Sequence, residues 1–467
     1  MTNPPEEYSV IVKRVVLLIA ALSSFITPFD GSAVNIALPS IENEFLINAI
    51  TLSWVSTAYL LSSAVFLVPF GKFGDYFGRK RLFIAGIALF AVSSLLVSLS
   101  MSPEMLIAMR FIQGIGSAMI FGTSMAILTA VFQPGERGRA IGISIMAVYL
   151  GLSLGPVLGG YMTAYLGWRS IFLINVPLGV IIIILTTSLL KDEWREEGGS
   201  FDLKGSVIYG LSLTGIIYGL SLGPVTPAVL LVTAGVLGII LFVWFERRLD
   251  TPVLDVSLFR KSRVFLFSNL AALINYSATF AVTFLMSIYL QISKGFGPEY
   301  SGLILVAQPL TQAVFSPLSG RLSDRIEPGL IASAGMGLCA LGLFFLVFLD
   351  AESGLPFIIG CLLLLGCGFG LFSSPNTNAI MSSVEKRYYG VASGMVGTMR
   401  LLGQTFSMGV TMMIFAIIIG EVSITTDNST LFLSSMHIAF IFFTILCLLG
   451  IGASMIRGRL RSAGTSR

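Results

Sequence analysis

GKFGDYFGRKR, residues 71–81, sets five charges and three glycines between two long apolar runs. The whole chain of 467 residues is only 11% charged and 55% hydrophobic, with a mean hydropathy of +0.91. A soluble chain would carry roughly 25% charged residues, so the apolar runs belong in a bilayer and this stretch at its surface. A shorter echo, GRLSDRIE at 320–327, follows an equally apolar run and lacks the basic tail. One charged loop repeated at long range points to two related halves.

Outward from these loops, the apolar segments reach roughly 20 residues, the length of a helix that spans hydrocarbon and too long for barrel strands. Their positions predict fourteen spans, at about 14–38, 49–70, 82–100, 104–131, 139–165, 169–190, 204–223, 227–246, 264–291, 299–319, 329–349, 355–380, 389–420 and 431–455. The first lacks a convincing cleavage site and reads as a retained helix. The charged loops follow spans 2 and 10. Residues 1–190 therefore read as one six-helix bundle, and 264–467 as a second bundle with a cytoplasmic tail. Residues 191–263 read as a linker carrying an inserted helix pair. The fold class is all-α, an integral membrane protein.

Basic residues orient it. Of the 28 Lys and Arg residues, only Arg169 and Lys294 fall on the side opposite the N-terminus, and Arg110 and Arg400 lie within spans. The positive-inside rule puts both termini in the cytoplasm, in a multi-pass protein of the plasma membrane. The net charge of +4 thus reflects topology and carries no implication of nucleic acid. The four cysteines fall inside spans without ligand spacing and read as small core residues. No metal or cofactor is expected, and the expectation is a monomer.

Four motifs carry a resemblance that covers nearly the whole chain. GKFGDYFGRKR resembles the signature loop between helices 2 and 3 of the major facilitator superfamily. RFIQGIGSA at Arg110–Ala118 resembles its helix 4 motif, carried by Arg110, Gln113, Gly114 and Gly116. GLSLGPVLGG at Gly151–Gly160 resembles the helix 5 motif associated with antiporters, and FDGSAVNIALPSI at Phe29–Ile41 the helix 1 motif. Together they are similar to the fourteen-helix drug:proton antiporters of the QacA/EmrB type. The resemblance implies two six-helix bundles plus two helices, alternating access, and export of small molecules against a proton gradient.

Asp30 is the sharpest single residue, an acid inside a span while the other carboxylates read as loop, tail or helix-end residues. A charge there costs about 2.5–3.5 kcal/mol on insertion scales, which makes it a functional candidate. Removal from water favours the protonated acid, whereas a nearby cation favours the carboxylate. Asp30 lies about 13 Å below Pro39 and Arg110 about 10 Å below Pro103, so the two can share one level. Asp30 is expected to carry the proton and Arg110 to set its affinity. A structural ion pair is the competing reading.

In the helix 5 run, Gly151, Gly155, Gly159 and Gly160 make a face of small residues for close approach, and Pro156 bends the helix. The resemblance implies a seal against leak; ordinary tight packing would explain it too. In the signature loop, Gly71, Gly74 and Gly78 permit a tight turn, while Asp75 caps a helix start or pairs with Arg79. There the resemblance implies a gating latch, with Lys80 among its cations and Asp324 and Arg325 forming a weaker copy. Plain positive-inside anchoring would explain the cations alone.

A substrate cavity is expected from spans 1, 4, 9 and 12 (Phe29, Asn35, Gln113, Phe121, Asn275, Tyr276, Asn376, Asn378), with Gln308 and Gln312 of span 10 and Arg400 of span 13. Apolar walls with a few amides suit amphipathic molecules. Polycation exporters of the resembled family carry extra acids in later helices, and spans 10 and 13 have none. The expected substrates are therefore neutral, zwitterionic or anionic amphiphiles, handled as in multidrug efflux. An exporter of one metabolite (siderophore, peptide or lipid) and a non-transporting receptor or scaffold are the alternatives, and sodium could replace the proton. The chain shows no P-loop, nucleophile motif or His/Cys/acid cluster, so neither an enzyme nor an ATP-driven pump is expected.

Overall fold

The computed structural model describes residues 9–132, 134–190, 201–249, 259–260, 262–323, 325–385, 389–420, 422, 424–425 and 428–458. Fourteen helices in it are long and apolar enough to cross a membrane. They are α1 (Val10–Phe45), α2 (Ala49–Phe77), α3 (Arg79–Ser98), α4 (Pro103–Val131), α5 (Pro134–Leu166), α6 (Arg169–Leu189) and α7 (Leu203–Ser221). The rest are α8 (Thr226–Glu246), α9 (Arg263–Ser293), α10 (Pro298–Ser323), α11 (Pro328–Leu346), α12 (Leu355–Ser382), α13 (Tyr389–Ile418) and α14 (Ser429–Ile456). Each expected span has its helix.

Local chemistry sets the ends. The side chains of Asn48, Ser102, Asp202 and Ser262 accept from first-turn amides of α2, α4, α7 and α9, and prolines open α4, α10 and α11. Three spans are interrupted. α6 breaks at Ile174, α10 at Val306, and α9 breaks at Phe280 before ending in a π-helical turn, Tyr289–Ser293.

Packing repeats. In the first bundle α1 packs on α5, α4 and α6, while α4 packs on α2 and α3, and α3 on α6; the same pairs recur eight helices later. Glycine contacts fix the register of the repeat. A Cβ on Gly151 would meet Phe25 O and Phe29 N, and one on Gly403 would meet Leu273 O and Ser277 N. Gly116 faces Gly86 O and Phe90 N as Gly368 faces Gly335 O and Cys339 N. The inserted pair α7–α8 leans on α2 and α13 through α7.

The bundles meet through α1 with α9, α5 with α10, and α2 with α13. An even number of crossings puts residues 9 and 458 on one side, the terminal side. On the opposite, distal side the bundles are tied closely. Ser287 Oγ donates to Asn35 O at 2.6 Å, Gln291 Nε2 to Ile36 O at 3.0 Å, and the Ala49 amide to Val422 O at 3.2 Å. The Ile424 amide donates to the Glu42 carboxylate.

The stretch 71–81 is less of a loop than expected. α2 continues to Phe77, Gly78 turns the chain with φ 117°, and α3 begins at Arg79. That φ is open to glycine and strained for other residues. Asp75 thus lies in the last turn of α2, not at a helix start; its side chain, and Asp324 entirely, lie outside the described residues.

Candidate functional site

Asp30 sits midway along α1, two residues after Pro28, and is 0% exposed. Three donors converge on its carboxylate. Arg110 Nη1 from α4 reaches Oδ2 at 2.5 Å; Asn175 Nδ2 from α6 and Gln113 Nε2 from α4 reach Oδ1 at 2.8 and 3.1 Å. Gln113 Nε2 also donates to Ser94 Oγ of α3 at 2.7 Å. Three helices therefore meet at one carboxylate, and Gln113 ties in a fourth, α3.

Arg110 is held as tightly. Its Nε donates to Val55 O of α2 at 3.0 Å, Nη1 also reaches Gln113 Oε1 at 2.5 Å, and the guanidinium lies 4.4 Å from the centre of the Tyr59 ring. Tyr59 donates its hydroxyl to Ser117 at 2.9 Å. A buried pair survives in low dielectric when its remaining donors and acceptors are satisfied, and this one is surrounded by partners. The Asp30 anion balances Arg110 where α1, α4 and α6 meet.

The second bundle has no copy of this site. Carried across the glycine register, Asp30 falls opposite Ala278, Arg110 opposite Leu362, Gln113 opposite Leu365 and Ser94 opposite Leu343, all buried. At these matched positions the ion pair has a counterpart of apolar residues only. Sequence reasoning missed Asn175, Ser94 and Tyr59, neutral residues whose only signal was polarity inside an apolar helix.

Of the other expected site residues, the structure brings some together and separates others. Phe29 is buried and stacks on Phe25, Gln113 belongs to the charge cluster, and Asn35 accepts from Ser56 at 3.2 Å. Arg400 is half-buried with its guanidinium 5.4 Å from the Phe121 ring, joining α13 to α4, and Tyr276 packs edge-on against Phe369. Asn275 is buried with neither amide atom hydrogen-bonded, Gln312 is buried and Gln308 half-buried. Asn376 instead donates to Ser268 O and accepts from Arg457 Nη1 at 3.0 Å, and Asn378 donates to Ser323 Oγ at 2.9 Å. Both knit helices of the second bundle together. Arg457, just past the end of α14, is 2% exposed and also reaches Pro328 O and Ser454.

The glycine run of α5 has two partners. Gly151, Gly155 and Gly159 lie on α1 against Phe29, Ser32 and Ala33, flanking Asp30, whereas Gly160 lies on Pro298 O of α10. Gly302 of α10 presses in turn on Pro156 O. The α5 helix runs through Pro156 without a break. In the signature stretch Gly74 packs on Thr123 of α4, Gly71 backs onto Gly122, and Lys80 Nζ donates to Leu190 O. Arg79, Lys80 and Arg325 all have partners, Arg325 in an exposed position.

Residues 20–408 match the Major Facilitator Superfamily profile. The chain is 33% identical over 398 residues to "Riboflavin transporter RibZ" of Clostridioides difficile, covering 85% of this chain and 86% of that one. It is 33% identical over 401 residues to "Multidrug resistance protein Stp" of Mycobacterium tuberculosis (84% and 74% covered), and 29% over 405 residues to "Methylenomycin A resistance protein" of Bacillus subtilis (85% and 86%). A solved bacterial homolog of the human lysosomal transporter Spinster, inward-facing and unoccupied, superposes with a TM-score of 0.71 over 96% of this chain and 98% of that one. At 13% identity that is a likeness of fold. With its fourteen membrane helices and relatives named for multidrug and antibiotic resistance, the chain belongs to the Major Facilitator Superfamily, in keeping with the drug:proton antiporter family its motifs resemble.

Proposed function

We propose that this transporter exports small amphipathic compounds across the plasma membrane in exchange for protons, with Asp30 as the proton carrier and both termini in the cytoplasm. The observation that carries the reading is a fully buried carboxylate held by Arg110, Gln113 and Asn175 in one bundle, with apolar residues at the matching places of the other. A buried acid facing a single cation is a site where one proton changes the local charge from zero to +1. Because α1 also touches α9 across the bundle interface through Asn35 and Ser287, a change at Asp30 reaches the contacts that close the distal side. Alternating access then amounts to rocking of residues 1–190 against 264–467, with the helix pair of 191–263 riding beside α2 and α13. The half-buried Arg400 beside Phe121 suits an anionic or zwitterionic amphiphile better than a dication.

A dedicated metabolite transporter is the second reading, favoured by the resemblance to a protein named for riboflavin. One assay tests both: uptake into inside-out proteoliposomes under an imposed pH gradient, with sodium varied, over a cationic dye, an anionic dye and riboflavin. Dye accumulation that collapses with the pH gradient supports proton-driven export. Accumulation indifferent to the gradient overturns it, and transport of riboflavin alone establishes the second reading.

A further inference from the structure

Asn175 is the donor to Asp30 that comes from α6, and it is 0% exposed. Its Nδ2 donates to Asp30 Oδ1 at 2.8 Å and lies 3.4 Å from Ser94 Oγ, while its own Oδ1 has no hydrogen-bond partner. A buried amide oxygen left idle is costly, and this one stands beside a carboxylate that three donors hold. A carboxylate only accepts; once protonated, it must also donate one hydrogen bond. Gln113 cannot take that bond freely, since its Oε1 already accepts from Arg110. The idle Asn175 oxygen can, by a half-turn of the amide about its last torsion.

We infer that Asn175 is the positioning residue of the Asp30 proton site: its amide donates to the ionised carboxylate and, turned over, accepts from the protonated acid. The inference rests on Asp30 as proton carrier. Among the described residues, the charged or titratable groups facing Asp30 are Arg110 from α4 and the Tyr59 hydroxyl from α2. The helices α3 and α6 present Ser94 and Asn175, and α5 presents Gly151 and Gly155. With so few charges near, one amide has room to matter.

The test is infrared titration of the full-length protein in proteoliposomes, following the carboxylic C=O band that disappears in Asp30→Asn. Two variants are compared with wild type, Asn175→Ala, which removes both donor and acceptor, and Asn175→Ser, which keeps a hydroxyl able to serve as either. Because a bond to the charged form is the stronger one lost, Asn175→Ala is expected to raise the pH midpoint of the band by about one unit, a tenfold change in proton affinity. Its C=O band should also move to higher frequency, as that of an acid no longer donating, and Asn175→Ser should restore both readouts toward wild type. An Asn175→Ala band with unchanged midpoint and frequency overturns the assignment while leaving Asp30 as carrier. The absence of any Asp30-dependent band overturns the carrier reading and this inference together.

Discussion

Arg110 Nη1 stands 2.5 Å from Asp30 Oδ2, with neither side chain more than 1% exposed. Such a pair is worth little against an apolar replacement of both members, but removing one leaves a bare buried charge. Arg110→Leu is expected to cost about 3–5 kcal/mol in thermal unfolding measured in detergent. The double variant Asp30→Asn with Arg110→Leu should recover a large part of that loss. Strict additivity of the two single effects would mean that the pair is not coupled.

The distal closure depends on glycines that admit no methyl group. A Cβ on Gly302 would lie 2.1 Å from Pro156 O, and one on Gly160 2.5 Å from Pro298 O, whereas Gly142 has nothing within 4 Å. Gly302→Ala and Gly160→Ala should push the bundles apart on that side, with Gly142→Ala as the silent control. Spin labels at the exposed Leu46 and Leu431 would read the change as a longer distance. No lengthening in either variant would show that α5 and α10 do not hold the closed side.

Glu42 is a second buried carboxylate, 3% exposed at the distal end of α1, and it accepts the Ile424 amide from the other bundle. Replacing it with Leu removes the acceptor and should speed hydrogen exchange at the Ile424 amide. Glu42→Gln keeps an acceptor oxygen and should stay near wild type. Equal exchange in Glu42→Leu and wild type would show that this bond does not fasten the segment.

Arg457 ties four helices of the second bundle: Ser268 of α9, Pro328 of α11, Asn376 of α12 and Ser454 of its own α14. Arg457→Leu is expected to lower stability by about 3 kcal/mol, the scale of charged hydrogen bonds lost from a buried site. Thermal unfolding checks it. A change within 0.5 kcal/mol, the ordinary surface range, would show that Arg457 does not hold these helices together.

Much of this was legible in the sequence, for identifiable reasons. Hydrocarbon thickness imposes span lengths, so every helix was visible as an apolar run. Asp30 stood out because charge in such a run is rare, and helix rise alone put Arg110 at its level. Asn175 and Ser94 were hidden because neutral polar residues abound in membrane helices and nothing local says which way they turn. The burial of Arg457 was hidden because it follows the last apolar run, yet its long side chain folds back among α9, α11 and α12. Asn376 was assigned to a cavity for want of that same partner. The breaks at Ile174 and Phe280 carry no glycine or proline at the break itself, so only tertiary packing could reveal them.

Proton coupling at Asp30 is tested most directly by Asp30→Asn in proteoliposomes loaded with an anionic dye. Two conditions are compared, passive equilibration without a gradient and uphill movement under an imposed pH gradient. The neutral amide should leave downhill exchange in place and abolish uphill transport. Uphill accumulation by Asp30→Asn equal to wild type would contradict Asp30 as the proton carrier.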